Sequence, residues 1–264
     1  MVNVALEKGL RTENVNMYSV QVLNKIATIG LDRFGDGFDV SDNQTTPDAI
    51  VLRSQKLHEE TFADNLRAIG RAGAGVNNIP VDRCTDEGIV VFNTPGANAN
   101  AVKESVIAGM LLAARDIHGG INYVDTIQNE GETIAKLVEQ NKSRFKGFEI
   151  KGKRLGVIGL GAIGLMVANA AVGLEMEVEG YDPFLSVDRA WELSSSVKPA
   201  KTLDSLFATA DFISIHVPYT EKTKHFINAD AIKKIKRGAV LLNFSRDALV
   251  DEKALLEALD SGAI

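Results

Sequence analysis

An apolar strand that runs straight into three glycines at fixed spacing leaves a chain few folds to choose from. Arg154-Leu155-Gly156-Val157-Ile158 leads into Gly159-Leu160-Gly161-Ala162-Ile163-Gly164, and Asp182 follows 18 residues after Gly164. In such a run the first glycine permits a tight turn, the second lets backbone N–H groups approach a pyrophosphate, and the third lets helix and strand pack closely. The diphosphate charge then sits on a helix N-terminus, where unpaired N–H groups and the helix dipole favour an anion. Glu177-Val178-Glu179-Gly180-Tyr181 reads as the next strand. Asp182 falls at its C-terminal end, where a carboxylate can accept both hydroxyls of an adenosine ribose. Taken alone, Asp182 before Pro183 would merely open a turn; with strand, glycine turn and helix start in order, the dinucleotide reading is preferred. No Lys or Arg occurs from Asp182 to Val187 to balance a 2′-phosphate, so NAD is expected rather than NADP.

The bulk numbers suit an enzyme-sized α/β protein. At 264 residues and 45% hydrophobic content the chain is expected to form two domains. Lys and Arg number 29 against 35 Asp and Glu, a net charge of −6 without basic blocks, so neither nucleic acid nor an anionic membrane is an expected partner. Local arginines can still hold a small anion. Cys84 is the single cysteine, which excludes an internal disulfide or a thiolate zinc site and suits a reducing compartment. No metal is expected. No run reaches the roughly 18 apolar residues of a membrane span, and no signal-peptide pattern opens the chain, so a cytoplasmic setting is expected. Residues 1–16 are polar and aperiodic and read as an extension, with Met17 a natural alternative start.

From Val22 to Val91 short apolar runs alternate with amphipathic segments. Ile50-Val51-Leu52, Ala68-Ile69-Gly70-Arg71-Ala72 and Ile89-Val90-Val91-Phe92 read as strands, and His58 to Leu66 as a helix. Strands alternating with helices indicate a parallel sheet covered on both faces. A long helix is expected over Asn98 to Ala114, after the breaker Thr94-Pro95-Gly96, which places the domain junction between 1–96 and 97–264. In the second domain, strands at residues 156–159, 178–181, 212–217 and 239–244 alternate with helices. Thr202 and Asp204 are expected to cap one helix, Asp251 another, and Gly262 to stop it. The fold class is therefore α/β, two Rossmann-like domains with doubly wound parallel sheets, and ligands are expected outside the C-terminal strand ends.

Gly159–Gly164, Tyr181-Asp182-Pro183, His216-Val217-Pro218 and Leu242-Asn243-Phe244-Ser245-Arg246 together resemble the D-2-hydroxyacid dehydrogenase family at its characteristic positions. Arg71-Ala72-Gly73-Ala74-Gly75-Val76-Asn77-Asn78 and Asn93-Thr94-Pro95, with Asn98 and Glu104, resemble more narrowly the family's phosphoglycerate-oxidising branch. The resemblance covers nearly all of Met17 to Ile264. It implies a flavodoxin-like N-terminal domain for substrate, an NAD-binding C-terminal domain, and incompleteness of both at the C-terminal end. The implied activity of the full-length protein is NAD-dependent oxidation of 3-phospho-D-glycerate to 3-phosphohydroxypyruvate in serine biosynthesis. Oxidation of another D-2-hydroxy acid, or a non-catalytic, corepressor-like NAD-binding role, are the alternatives.

The resemblance assigns Arg246 as the catalytic arginine, able to fork onto the substrate carboxylate and C2 oxygen. Asp247 stands where the family usually has glycine, and its carboxylate would partly neutralise Arg246. Arg53, Ser54, Arg71 and Asn98 are expected to contact phosphate or carboxylate. The loop from Arg71 through Ala74, Gly75 and Val76 is expected to offer successive backbone N–H groups as a small anion nest. Gly159, Gly161, Ala162, Ile163, Gly164, Asp182, Pro183, His216, Val217, Pro218, Thr223 and Phe244 form the expected cofactor set, with His216 a packing or cofactor-contact residue rather than an acid-base group. The family's proton-transferring histidine, its glutamate and the aspartate facing the nicotinamide are expected beyond the segment resembling Asp260–Ile264. The chain alone is accordingly expected to be inactive or nearly so. A homodimer or higher homo-oligomer is implied by resemblance only.

Overall fold

The structure, a computed structural model, describes residues 17–264, and the expected extension at residues 1–16 lies outside them. The chain divides into two compact units, one ending at Ala97 and one running Asn98–Ile264.

The first unit contains β1 (Tyr18–Leu23), α1 (Thr28–Leu31), β2 (Phe38–Ser41), β3 (Ala49–Leu52), β4 (Ala68–Arg71), α2 (Val81–Asp86) and β5 (Val90–Asn93). Its strands pair in parallel in the order β2-β1-β3-β4-β5, the flavodoxin-like arrangement. Val20, Ile50, Leu52 and Ile69 are buried on these strands, with Leu57, Leu66, Ile79, Cys84 and Ile89 among the buried residues of the unit.

The helix expected over His58 to Leu66 does not form. The segment is a pair of turns, with the Glu60 N–H donating to the Leu57 carbonyl at 3.3 Å and the Leu66 N–H to the Ala63 carbonyl at 2.9 Å. A side chain from outside the segment takes one of its carbonyls: Arg83, stacked 3.9 Å over the Phe62 ring, donates to the Glu60 carbonyl at 2.8 Å, while the Asn65 side chain ties the segment to the Thr46 carbonyl at 3.0 Å.

The second unit contains α3 (Ala99–Ala114), α4 (Ile117–Ile127), α5 (Ile134–Asn141), β6 (Arg154–Ile158), α6 (Ala162–Gly173), β7 (Glu177–Tyr181), α7 (Val187–Glu192), β8 (Lys198–Pro199), α8 (Leu203–Thr209), β9 (Phe212–Ile215), α9 (Ala229–Lys234), β10 (Val240–Asn243) and α10 (Glu252–Asp260). The sheet is parallel, in the order β10-β9-β6-β7-β8. The strand order reverses between β6 and β9, and the crevice at such a switch point is where doubly wound folds bind ligands. Leu155, Val157 and Ile158 of β6 and all four residues of β9 are buried, as strands covered on both faces must be. One face packs on Val106 and Met110 of α3 and Val167, Ala168 and Ala171 of α6. The other packs on Leu206 and Phe207 of α8, Ile232 of α9 and Ala254 and Ala258 of α10. Thr202 forms a reciprocal capping box with Ser205, and the Asp251 side chain caps α10 by accepting from the Ala254 N–H. No helix of the described residues is long and apolar enough to cross a membrane.

Asp211, just before β9, fixes the start of β6. Its carboxylate accepts from the Arg154 N–H at 2.8 Å and from Lys236 Nζ at 2.7 Å. Burial pushes this carboxyl up, but the Arg154 N–H and the Lys236 ammonium more than offset it and hold it below the ordinary 3.8. Asp211→Ala is expected to lower unfolding free energy by about 1–3 kcal/mol at pH 7, and Lys236→Ala by under about 1 kcal/mol, because that ammonium is half exposed. Urea titrations check both. A carboxyl whose pKa is depressed on folding stabilises above pH 3.8 and ceases to as pH falls through the folded value. The wild-type and Asp211→Ala curves therefore draw together in acid.

Candidate functional site

The glycine turn closes against three strand ends. Gly159, directly after β6, has φ +88°, and a Cβ there would lie 2.9 Å from the His216 carbonyl carbon and oxygen. Its N–H donates to the Tyr181 carbonyl at 2.9 Å, while the His216 N–H donates to the Ile158 carbonyl at 2.7 Å. Asp182 turns back onto the same loop: its Oδ2 accepts from the Leu160 N–H at 2.8 Å and its Oδ1 from the Phe184 N–H at 2.9 Å. Each carboxylate oxygen keeps a further lone pair for a hydroxyl donor.

At Gly164 a Cβ would collide with the Gly159 carbonyl oxygen, so helix α6 can sit on β6 only without one. Gly161 is the opposite case. A Cβ there would meet nothing within 4 Å, and the residue stands at the N-cap of the 12-residue α6. The N–H groups of Ala162 and Ile163 head that helix without an intrahelical acceptor. This open, N–H-lined cradle fits a diphosphate. Beside it, Leu160, Gly180, Asp182, Pro183, Leu185 and Ala200 are among the residues lining a cavity of about 420 Å³, of a size for an adenosine. A larger cavity, about 770 Å³, runs along β10 and α10 and shares no lining residue with the glycine turn.

His216, Val217 and Pro218 leave the end of β9. Burial lowers the His216 pKa from its ordinary 6.5 to about 4, so the ring is neutral at pH 7. Its Nε2 lies 2.8 Å from Oγ of the buried Ser214. Thr223 Oγ1 donates to the Pro218 carbonyl at 2.8 Å and accepts from the Thr220 N–H at 2.7 Å, which closes the following turn. Ser245 Oγ donates to the Val217 carbonyl at 3.0 Å and ties this segment to the loop after β10. On that loop Arg246 is exposed. Its Nη1 donates to the Ser245 carbonyl at 2.9 Å, and its carbonyl accepts from Asn243 Nδ2 at 2.7 Å. Among the described residues no ion pair joins Arg246 to Asp247, which instead begins the short 3-10 turn Asp247–Leu249. The Phe244 ring packs on Gly109 of α3, where a Cβ would lie 3.0 Å from its Cζ.

In the first unit Arg53 and Ser54 follow β3, and Arg71 ends β4. Arg71 Nε donates to the Arg53 carbonyl at 3.1 Å. The anion nest is narrower than the sequence suggested. The Ala72 N–H donates to the Leu52 carbonyl at 2.8 Å, and the Gly73 N–H to Thr94 Oγ1 at 2.7 Å, because the loop must be anchored to stand out from the sheet. The N–H groups of Ala74, Gly75 and Val76 have no partner among the described residues. Asn98 belongs to the second unit, at the N-cap of α3, where its side chain makes no cap bond. Among the described residues no group of three His, Cys, Asp or Glu could hold a metal ion.

Sequence reasoning missed two residues. Asn24, with φ +69°, points Oδ1 at the loop after β3 and accepts from the Ser54 and Gln55 N–H groups at 2.8 and 2.7 Å; an Asn closing an apolar strand was the signal for a left-handed turn. Ser214 was visible as the one polar residue in Phe212-Ile213-Ser214-Ile215.

The second unit is thus a doubly wound dinucleotide-binding domain by geometry. Residues 107–264 match the family described as D-isomer specific 2-hydroxyacid dehydrogenase, NAD binding domain. The chain is 36% identical over 260 residues to D-3-phosphoglycerate dehydrogenase of Methanocaldococcus jannaschii, covering 97% of this chain and 47% of that protein. It is 40% identical to a hydroxypyruvate reductase of Thermotoga maritima over 82% of this chain and 66% of the relative. Among solved structures, the NAD⁺-bound 3-phosphoglycerate dehydrogenase of Entamoeba histolytica superposes with TM-score 0.70 at 27% identity, covering 93% of this chain and 77% of that one. A glyoxylate reductase of Paecilomyes thermophila gives 0.76 at 25%, covering 94% and 79%. The chain belongs to the D-isomer-specific 2-hydroxyacid dehydrogenase family, and its second unit is the family's NAD-binding domain. It spans less than half the length of the D-3-phosphoglycerate dehydrogenases of Methanocaldococcus jannaschii, Archaeoglobus fulgidus and Synechocystis.

Two glycine substitutions should part company. Gly164→Ala is expected to destabilise the fold by several kcal/mol, on the scale of an overpacked core. Gly161→Ala should leave the melting temperature within about 2 °C, since one surface change is worth under about 0.5 kcal/mol, while weakening NADH roughly tenfold or more. Thermal melts with NADH titrations read both.

Proposed function

We propose that the protein carrying this chain oxidises 3-phospho-D-glycerate to 3-phosphohydroxypyruvate with NAD, a step of serine biosynthesis. The observation that carries the reading is that Arg53 and Arg71 stand at the C-terminal ends of the neighbouring strands β3 and β4, in the same unit as the unpartnered N–H groups of Ala74, Gly75 and Val76. Two arginines suit a phosphomonoester, and N–H groups in a row suit a carboxylate. The names of the phosphoglycerate dehydrogenase relatives support it.

Bound NAD supplies the hydride acceptor. Gly161, Ala162 and Ile163 offer backbone N–H groups to its diphosphate, with Gly159 and Gly164 making the turn that presents them. Asp182 accepts from the ribose hydroxyls, and Pro183, His216, Val217, Pro218, Thr223 and Phe244 belong to the segments that wall the crevice. Arg246 forks onto the substrate carboxylate and C2 oxygen, where its positive charge stabilises the oxyanion that forms as the C2 hydroxyl gives its proton to a base and, in the reverse direction, polarises the C2 carbonyl of 3-phosphohydroxypyruvate for hydride addition. Arg53, Ser54, Arg71 and Asn98 hold the phosphate end. Neutral His216 is part of the wall and transfers no proton to or from the substrate.

The Thermotoga maritima relative, named hydroxypyruvate reductase, favours a second reading with an unphosphorylated 2-hydroxy acid. A substrate panel on the intact protein decides between them. Phosphoglycerate should exceed glycerate and lactate in kcat/KM. Arg53→Ala and Arg71→Ala should each raise KM for phosphoglycerate roughly 10- to 100-fold, the worth of a charge-assisted hydrogen bond, and leave glycerate nearly unchanged. Preference for glycerate overturns the phosphate assignment, and tight NADH binding without turnover of any 2-hydroxy acid moves the reading to a corepressor-like protein.

The same reading makes the protein a cytosolic homodimer. The single cysteine, Cys84, is buried and unpaired, in keeping with a reducing compartment. Leu112, Ile121 and Val124 on α3 and α4 are 53%, 57% and 55% exposed, and Ile117, Ile121, Val124, Val138 and Phe145 line an apolar groove of about 460 Å³. Such a face on a second copy would cover it. Sedimentation should give a dimer, and Ile121→Asp with Val124→Asp a monomer.

A further inference from the structure

Strand β9 is buried along its whole length, and Ser214 is its one polar residue, with no exposed surface. A hydroxyl in such a place costs free energy unless it is hydrogen-bonded. Its partner is Nε2 of His216 at 2.8 Å, two residues on and therefore on the same side of the strand. No donor among the described residues reaches Ser214 Oγ other than that ring.

The two ways of arranging this bond are unequal. If Nε2 carried the proton and donated to the hydroxyl, the hydroxyl's own proton would be buried with no acceptor. If the hydroxyl donates to Nε2, both groups are satisfied, and the ring's one proton must sit on Nδ1. Nδ1 has no partner among the described residues, and His216 keeps partial exposure at the C-terminal end of β9, where its backbone presses on Gly159. An Nδ1–H is a donor. A bare Nδ1 would instead turn a lone pair on the acceptor-only phosphate oxygens of a dinucleotide and be repelled by them.

We propose that Ser214 is a positioning residue for the cofactor: its hydroxyl donates to His216 Nε2 and fixes the imidazole as the Nδ1–H tautomer, which leaves that N–H for an acceptor oxygen of the bound dinucleotide. This rests on the reading of His216–Pro218 as a wall of the NAD crevice. The ring contributes a directed hydrogen bond without a charge, and the direction is set from inside the sheet.

Long-range ¹H–¹⁵N spectra of the full chain, labelled at histidine and recorded at pH 7 without ligand, should show His216 as the Nδ1–H tautomer. Ser214→Ala should release the ring to a mixture and weaken NADH, followed by fluorescence, roughly 5- to 15-fold, the worth of one hydrogen bond. Ser214→Thr keeps the hydroxyl and should restore both the tautomer and NADH affinity to within about threefold. An Nε2–H tautomer in the wild type overturns the proposal even if Ser214→Ala fails to fold. Equal NADH affinity in wild type and Ser214→Ala overturns the positioning role. A wild-type chain that binds no NADH overturns the reading of the crevice, and the cofactor half of the proposal with it, whereas a wrong tautomer beside normal NADH binding overturns the proposal alone.

Discussion

Gly159 has no room to be anything else, and the site follows from that crowding. It stands at the end of β6, donates to the end of β7 through Tyr181, and lies against the backbone of His216 at the end of β9. Three parallel strands therefore converge on one residue whose φ of +88° is itself hostile to a side chain. The turn that results throws the chain directly into α6, and a second contact, Gly164 against the Gly159 carbonyl, fixes how closely that helix lies on the sheet. Asp182 and His216 are brought to the turn by the register of β7 and β9 against β6. Remove the convergence and each of the three elements loses its reference point.

The crevice built this way is electrically spare. Its anion cradle is backbone N–H at the head of α6, its histidine is kept neutral by burial, and its one nearby carboxylate already accepts from two N–H groups. Those two bonds hold Asp182 in place without neutralising it. A ribose diol can add donors to it, while a 2′-phosphate would meet its charge. In the proposed site, selectivity for NAD comes from where this carboxylate stands, and the second unit belongs to an NAD-binding domain family.

What could be read directly from the chain was whatever a single local constraint decides. The glycine spacing, the apolar runs of β6 and β9, the caps at Thr202 and Asp251 and the breaker before α3 each depend on a few adjacent residues. Long-range competition was not legible. His58 to Leu66 has helical composition, yet Arg83 takes its Glu60 carbonyl and the Asn65 side chain ties it to Thr46. Strand β2 escaped notice because Phe38 and Asp39 are exposed and it lies at the sheet edge, where no strong alternation is imposed. Asn24 acts on residues some thirty positions away. The loss of the Ala72 and Gly73 N–H groups to Leu52 and Thr94 likewise depends on partners that local sequence does not announce.

The two anion cradles of the chain differ in a way that electrostatics explains. In the second unit the cradle has N–H groups alone; in the first, the proposed cradle combines N–H groups with Arg53 and Arg71 at the ends of adjacent strands. Each phosphate of a dinucleotide is a diester-like group with one charge, and partial positive charge at a helix terminus of about half a unit is a fair match for it. A phosphomonoester carries about −1.5 to −2 at pH 7, and a substrate that also bears a carboxylate approaches −3. Oriented dipoles alone would leave most of that charge uncompensated, so full cations are needed. On this argument the arginines are where the demand for charge is greatest, and a chain of the same fold with neutral residues at positions 53 and 71 should be selected for a less charged hydroxy acid.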